Sequence, residues 1–174
     1  MTSPAHDFPD GIEPRNLGGS GMPMRWLSIA VLGAVMLAAL LGLFGGGKAR
    51  PMAVDAASAR FEVAAPRTIR NGEFFEMRVA VTAKQPVDKA VLVVPASLWR
   101  VITINTMIPA ATEEKVEKGA FRFDYGALKP GDVLDIKIDG QINPPLFAGT
   151  SGTIELHDGE RPIAAIPFYI RVLP

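Results

Sequence analysis

Residues 132–142 read DVLDIKIDGQI. Leu134, Ile136 and Ile138, with Ile142 further on, alternate with Asp135, Lys137, Asp139 and Gln141. Successive side chains of a strand point to opposite sides, so this period of two marks an extended strand with one buried and one wet face. The same rhythm begins at Ala59. Phe61, Val63 and Ala65 alternate with Arg60, Glu62 and Ala64, and Phe75, Met77, Val79 and Val81 with Glu76, Arg78, Ala80 and Thr82. Ile154 and Leu156 continue it, then Ile166, Phe168, Ile170 and Val172. After residue 45 no stretch carries a convincing helical period. Ala110–Lys118 permits a helix but is short and charged.

Strands are expected at about 59–65, 73–83, 88–95, 98–105, 119–125, 132–142, 152–157 and 161–172. Asn71-Gly72, Pro95-Ala96-Ser97 and Asp158-Gly159 punctuate them; Asp-Gly is a strong hairpin signal because both residues tolerate positive φ. Pro162 and Pro167 mark the last strand as an edge or a bulged strand, since proline donates nothing to a ladder. Many short strands at this spacing predict a mainly β, antiparallel sandwich.

Tyr125-Gly-Ala-Leu128-Lys-Pro130-Gly131 feeds the 132–142 strand. Leu128, Pro130 and Gly131 resemble the Leu-x-Pro-Gly corner of immunoglobulin-like and fibronectin-like bacterial domains. The whole chain is similar to bacterial membrane proteins with one span and one small extracytoplasmic immunoglobulin-like domain. That resemblance implies an immunoglobulin-like β-sandwich of about seven to eight strands, and it brings no activity.

The span is the other large feature. WLSIAVLGAVMLAALLGLF, Trp26–Phe44, is 19 residues without a charge. At 1.5 Å per residue a helix over it reaches about 28 Å, close to a bilayer's hydrocarbon thickness. Trp26 stands at one end, where indoles favour the membrane interface. A cleaved signal peptide is the rival reading, but the run exceeds the usual apolar core of such peptides. The expected layout is a disordered tail over 1–25, a transmembrane helix over 26–44, a small-residue linker over 45–58 and a sandwich over 59–174. Arg15 and Arg25 before the span do not outweigh Lys48, Arg50 and Arg60 after it. The short tail therefore carries the orientation: a signal anchor in the inner membrane, N-terminus cytoplasmic, domain extracytoplasmic.

Composition removes several function classes. Lys/Arg and Asp/Glu balance at 18 each, and no basic run is present, which argues against nucleic-acid binding. There is no cysteine, so disulfides, thiolate metal sites and cysteine nucleophiles are excluded. The two histidines, His6 and His157, are too few for a multi-histidine metal site.

Three sets of residues invite a chemical reading. Gly149-Thr150-Ser151-Gly152 lacks the Gly-x-Ser-x-Gly spacing of a nucleophile elbow and reads as entry into a strand. His157-Asp158-Gly159-Glu160 reads as a polar hairpin tip rather than a metal or acid–base site. Asp135, Lys137 and Asp139 share the wet face of their strand. No catalytic residue, metal or cofactor is expected.

Two other sets suggest association. Ala30, Ala34, Ala38 and Gly42 recur every four residues, with Gly33 beside them, a stripe that lets another transmembrane helix approach closely. Counting strands alternately up and down places the connections near 84–87, 106–118 and 143–151 at the anchored end. Those connections carry the apolar Met107-Ile108 and Leu146-Phe147. The expected function is a non-enzymatic accessory protein in the lipid bilayer. It binds an integral-membrane partner, or itself, through the stripe and these membrane-proximal loops. The alternative is a binding module for a cell-wall or periplasmic ligand.

Overall fold

The structure is a computed structural model that describes residues 22–45, 49–143 and 149–174. The chain divides into two units, one ending at Leu40 and one beginning at Leu41.

In the first unit, α1 spans Met22–Leu40. It opens with Pro23 in the first turn, where a missing N–H costs nothing. Gly42, at φ +76°, lies just past the helix end, a conformation glycine adopts without strain. Leu27, Ile29, Val31, Leu32, Val35 and Met36 are all exposed. Among the described residues no helix is long and apolar enough to cross a membrane. The expected 26–44 helix is shifted: its apolar part runs from Trp26 to Leu40, about 22 Å. Residues 41–44 form a turn. Residues 22–25, expected in the disordered tail, are helical. Gly42 falls outside the helix that carries Ala30, Gly33, Ala34 and Ala38.

The second unit is mainly β. Its strands are β1 (Arg50–Asp55), β2 (Ala59–Ala65), β3 (Thr68–Arg70), β4 (Phe74–Ala83) and β5 (Ala90–Pro95). Then come β6 (Ile102–Ile108), β7 (Glu113–Glu117), β8 (Ala120–Asp124), β9 (Val133–Ile142), β10 (Thr150–Asp158) and β11 (Arg161–Leu173). One helical turn, α2 (Ala96–Trp99), interrupts the series. Two sheets result, ordered β1-β2-β4-β9-β6 and β3-β11-β10-β5-β8-β7. All pairs are antiparallel except β3 with β11. The alternating apolar residues of both sheets join in one buried cluster, with Phe61, Met77, Ile136 and Ile138 from one sheet and Leu92, Ile154, Leu156 and Phe168 from the other.

Three strands lie outside those expected, namely β1, β3 and β7. The sandwich therefore begins at Arg50 rather than Ala59, inside the expected linker. Residues 98–101 are not strand. Pro95 ends β5, and the helical turn, closed by Arg100 N–H donating to the Ala96 carbonyl at 2.8 Å, drives Leu98 and Trp99 into the core.

Two extra strands change the expected ends: β1 reverses which end the chain enters, and β7, inserted between β6 and β8, reverses every direction after it. Arg50, where the chain enters the sandwich, pairs with Ala65. The same end holds Asn71, bonded to Leu173, and Asn143, bonded to Val101. The opposite end holds 84–89, 109–112, 125–132 and 159–160, tied together by Val87–Leu128, Thr112–Asp124 and Gly159–Lys89 backbone bonds. The expected grouping of Met107-Ile108 with the 143–151 connection fails because β7 lies between them: β6 carries Met107 and Ile108 toward the end opposite Asn143. Leu146 and Phe147 lie outside the described residues.

Candidate functional site

A cleft of about 650 Å³ opens where the two sheets end in edge strands, β6 on one and β7 on the other. Its apolar wall is built from Trp99, Ile102, Ile104, Met107, Phe121 and Phe123. Alternation explains the lining: inward positions of β6 and β8 face each other, but β7 does not pair with β6, so among the described residues no strand closes the core here. Asn105, Thr106, Glu114 and Lys115 supply its polar groups. Ile108 (57% exposed) and Val116 (71% exposed) stand on the two edge strands.

Trp99 anchors the wall. It is 5% exposed and meets Phe121 and Phe123 with ring centroids 5.8 and 5.6 Å away, both tilted. Its indole N–H is buried without a hydrogen-bond partner among the described residues. The Tyr125 hydroxyl donates to Met107 Sδ at 3.0 Å. Burial, and after it the negative charge of Glu114, pushes this phenol well above its ordinary pKa. It stays neutral at any physiological pH. A β-bulge between Ile104 and Thr106 breaks the β6–β9 register beside the cleft.

On the outer face of the second sheet lies a polar hollow lined by Lys89, Glu113, Lys115, Arg122, Asp124 and Glu160, among others. Its cations are matched. Lys89 pairs with Asp124 at 2.8 Å, Lys115 with Glu113 at 2.8 Å and Arg122 with Glu160 at 2.9 Å. Burial raises the Asp124 carboxyl, but the Lys89 ammonium and the Gly126 N–H outweigh it and hold the group below its usual range. The same bond to Asp124 raises the Lys89 ammonium. Each of these cations thus faces a carboxylate partner.

The residue sets singled out in the sequence take ordinary structural places. Ser151 and His157 lie on one strand, β10, six residues apart and so roughly 20 Å from each other, beyond any nucleophile–base contact. Thr150 and Ser151 instead tie β10 to α2: the Thr150 hydroxyl donates to the Ser97 carbonyl at 2.7 Å, and the Ser97 hydroxyl to the Ser151 carbonyl at 3.3 Å. The β10–β11 hairpin turns one residue later than the Asp158-Gly159 signal implies: Asp158 pairs with Arg161, and Gly159-Glu160 form the turn, with Gly159 at φ +59°. His157 is 8% exposed and its Nε2 meets Glu155 at 2.6 Å. Among the described residues no cluster of metal-ligating side chains forms. Lys137 pairs with Glu76 at 3.2 Å and Asp139 at 3.3 Å, part of a charge ladder across β4 and β9.

The cleft itself was not legible in the sequence. Its wall residues look like ordinary core positions, and the cleft forms because among the described residues no strand lies between β6 and β7. No protein-family profile matches the chain, and no curated protein matches it.

Proposed function

We propose that the chain is a membrane-anchored accessory protein, not an enzyme, whose extracytoplasmic β-domain engages a partner held in or near the same membrane. The observation that carries this is the uncharged run Trp26–Phe44, all of whose large side chains are apolar. Its helical part alone is short for a bilayer, but in hydrocarbon each unpaired backbone group costs several kcal/mol, which favours continuing the helix through Leu41–Phe44. Five residues, Gly45–Ala49, then lead to β1. In this reading the N-terminus is cytoplasmic.

The strand order supports an immunoglobulin-like reading of the domain. β2-β4-β9-β6 follows the A-B-E-D order and β10 lies between β11 and β5 as F lies between G and C. The β7–β8 hairpin, β1 and β3 are additions to that plan. The interaction surface moves from the loops to the open cleft, and Ala30, Gly33, Ala34 and Ala38 remain the helix face for a membrane partner.

Purification of the full chain in mild detergent tests this. A stoichiometric integral-membrane partner is expected, and Ala34→Leu with Ala38→Leu should remove it. Extraction of the chain from membranes by alkaline carbonate would sink the anchor reading. The second reading, a module for a cell-wall or periplasmic ligand, draws on the cleft's size, which falls within the roughly 300–1,000 Å³ of small-molecule sites. Binding of such a ligand by the β-domain without any membrane partner would favour it.

A further inference from the structure

We propose that the outer edge of β7 pairs antiparallel with β7 of a second copy of this chain, centred on Val116. β7 ends its sheet, and among the described residues nothing pairs with its outer side. It joins β8 through a two-residue hairpin, Lys118-Gly119, both at positive φ, closed by the Glu117–Ala120 pair. In such a hairpin the closing pair is hydrogen-bonded, and bonded and non-bonded pairs then alternate. Glu117 and Lys115 therefore aim their backbone groups at β8. Val116 and Glu114 aim theirs outward, free to bond another strand.

The side chains select the register. Residues 114–118 read EKVEK, which is charge-complementary to itself when reversed about Val116. Centred there, Val116 meets Val116 of the second copy, Lys115 meets Glu117 in both directions, and Glu114 meets Lys118. Opposite charges on facing strands attract and like charges repel. Ladder geometry allows only shifts that keep outward groups opposite outward groups. Centring on Lys115 sets it against itself and Glu113 against Glu117. Centring on Glu114 sets two glutamates face to face. Only the Val116 register leaves no like-charged pair. It also covers Val116, the most exposed large apolar side chain of any strand in the two sheets, beside the mouth of the cleft.

The chain has no cysteine, so one introduced thiol reports its own surroundings. Facing residues of a hydrogen-bonded antiparallel pair have Cα atoms about 5.5 Å apart, within disulfide range. The experiment is oxidation of full-length Val116→Cys in mild detergent, with Val133→Cys, also exposed, as the reference. Association through the helix raises both rates alike, so their ratio isolates the strand contact and does not depend on the membrane reading. The covalent dimer should form at least about tenfold faster at 116 than at 133. Adding Lys115→Glu should slow it about tenfold, because each copy then sets Glu against Glu. Adding Glu117→Lys as well should restore it. Lys115→Glu breaks the Lys115–Glu113 pair within one copy in both backgrounds, so only a contact between copies explains the rescue. Equal rates at 116 and 133, or no response to the charge changes, would overturn the proposal.

Discussion

At Gly149 the backbone sits at φ +112°, and a Cβ there would lie 2.0 Å from the Ile170 carbonyl oxygen. Gly149→Ala is expected to cost roughly 1–3 kcal/mol or more, read from urea midpoints, since backbone must move and the dihedral is strained for any L side chain. Gly152 is restricted by packing rather than by φ: its added Cβ would meet Pro95 Cγ at 2.5 Å and Leu98 Cβ at 3.1 Å. These contacts explain why Gly149-Thr150-Ser151-Gly152 is rich in small residues, for β10 must pass close to β11 and α2. Asp124 sets an acid limit on stability. Its side chain is 14% exposed and it is held below its usual range, so it contributes stability above the unfolded carboxyl pKa of about 3.9. That contribution is lost as pH falls through the still lower folded value. Asp124→Asn should therefore flatten the fall in stability below about pH 4, measured by urea unfolding at successive pH values.

At the scale of elements, β9 shows how far alternation can be trusted. Ile138 is buried and Asp139, its neighbour, is paired on the wet face. Ile138→Ala should cost roughly 2–5 kcal/mol, whereas Asp139→Ala should stay within about 1 kcal/mol. Equal effects would mean that β9 is not in the register described. Strands with one buried face, β2, β4, β9, β10 and β11, were legible because burial writes a period of two into the sequence. β7 was not, since all five of its residues are exposed and EEKVE carries no buried face to alternate against. β1 was read as linker because proline and alanine dilute its pattern. It is an edge strand, where Pro51 is tolerated. β11 obeys the same rule: β3 covers only its last three residues, so Pro162 and Pro167 fall where its outer side has no partner among the described residues.

For the whole molecule, the division at Leu40 predicts that residues 49–174 fold without the apolar segment. That fragment should give a β-type circular dichroism spectrum and a single cooperative urea transition. Loss of cooperativity would show that α1 or its flanks complete the core. Trp99→Ala should cost about 3–5 kcal/mol in the same assay, because it empties the wall between Phe121 and Phe123.

Local chemistry written in the sequence determined the β class, the inward face of each central strand, the presence of a hairpin beside Gly159 and the uncharged run before the domain. These follow from side-chain periodicity, turn residues and length, which depend only on near neighbours. The tertiary structure alone decided that β1 joins the first sheet and that β6 and β7 are the edge strands of their sheets. It also decided that Met107-Ile108 and Asn143, where the 143–151 connection begins, lie toward opposite ends. Such features depend on which distant strands pair, and a single added strand reverses every direction counted after it. The open cleft is of this kind: its wall is made of ordinary buried and half-buried core residues, and among the described residues no strand bridges the two edges.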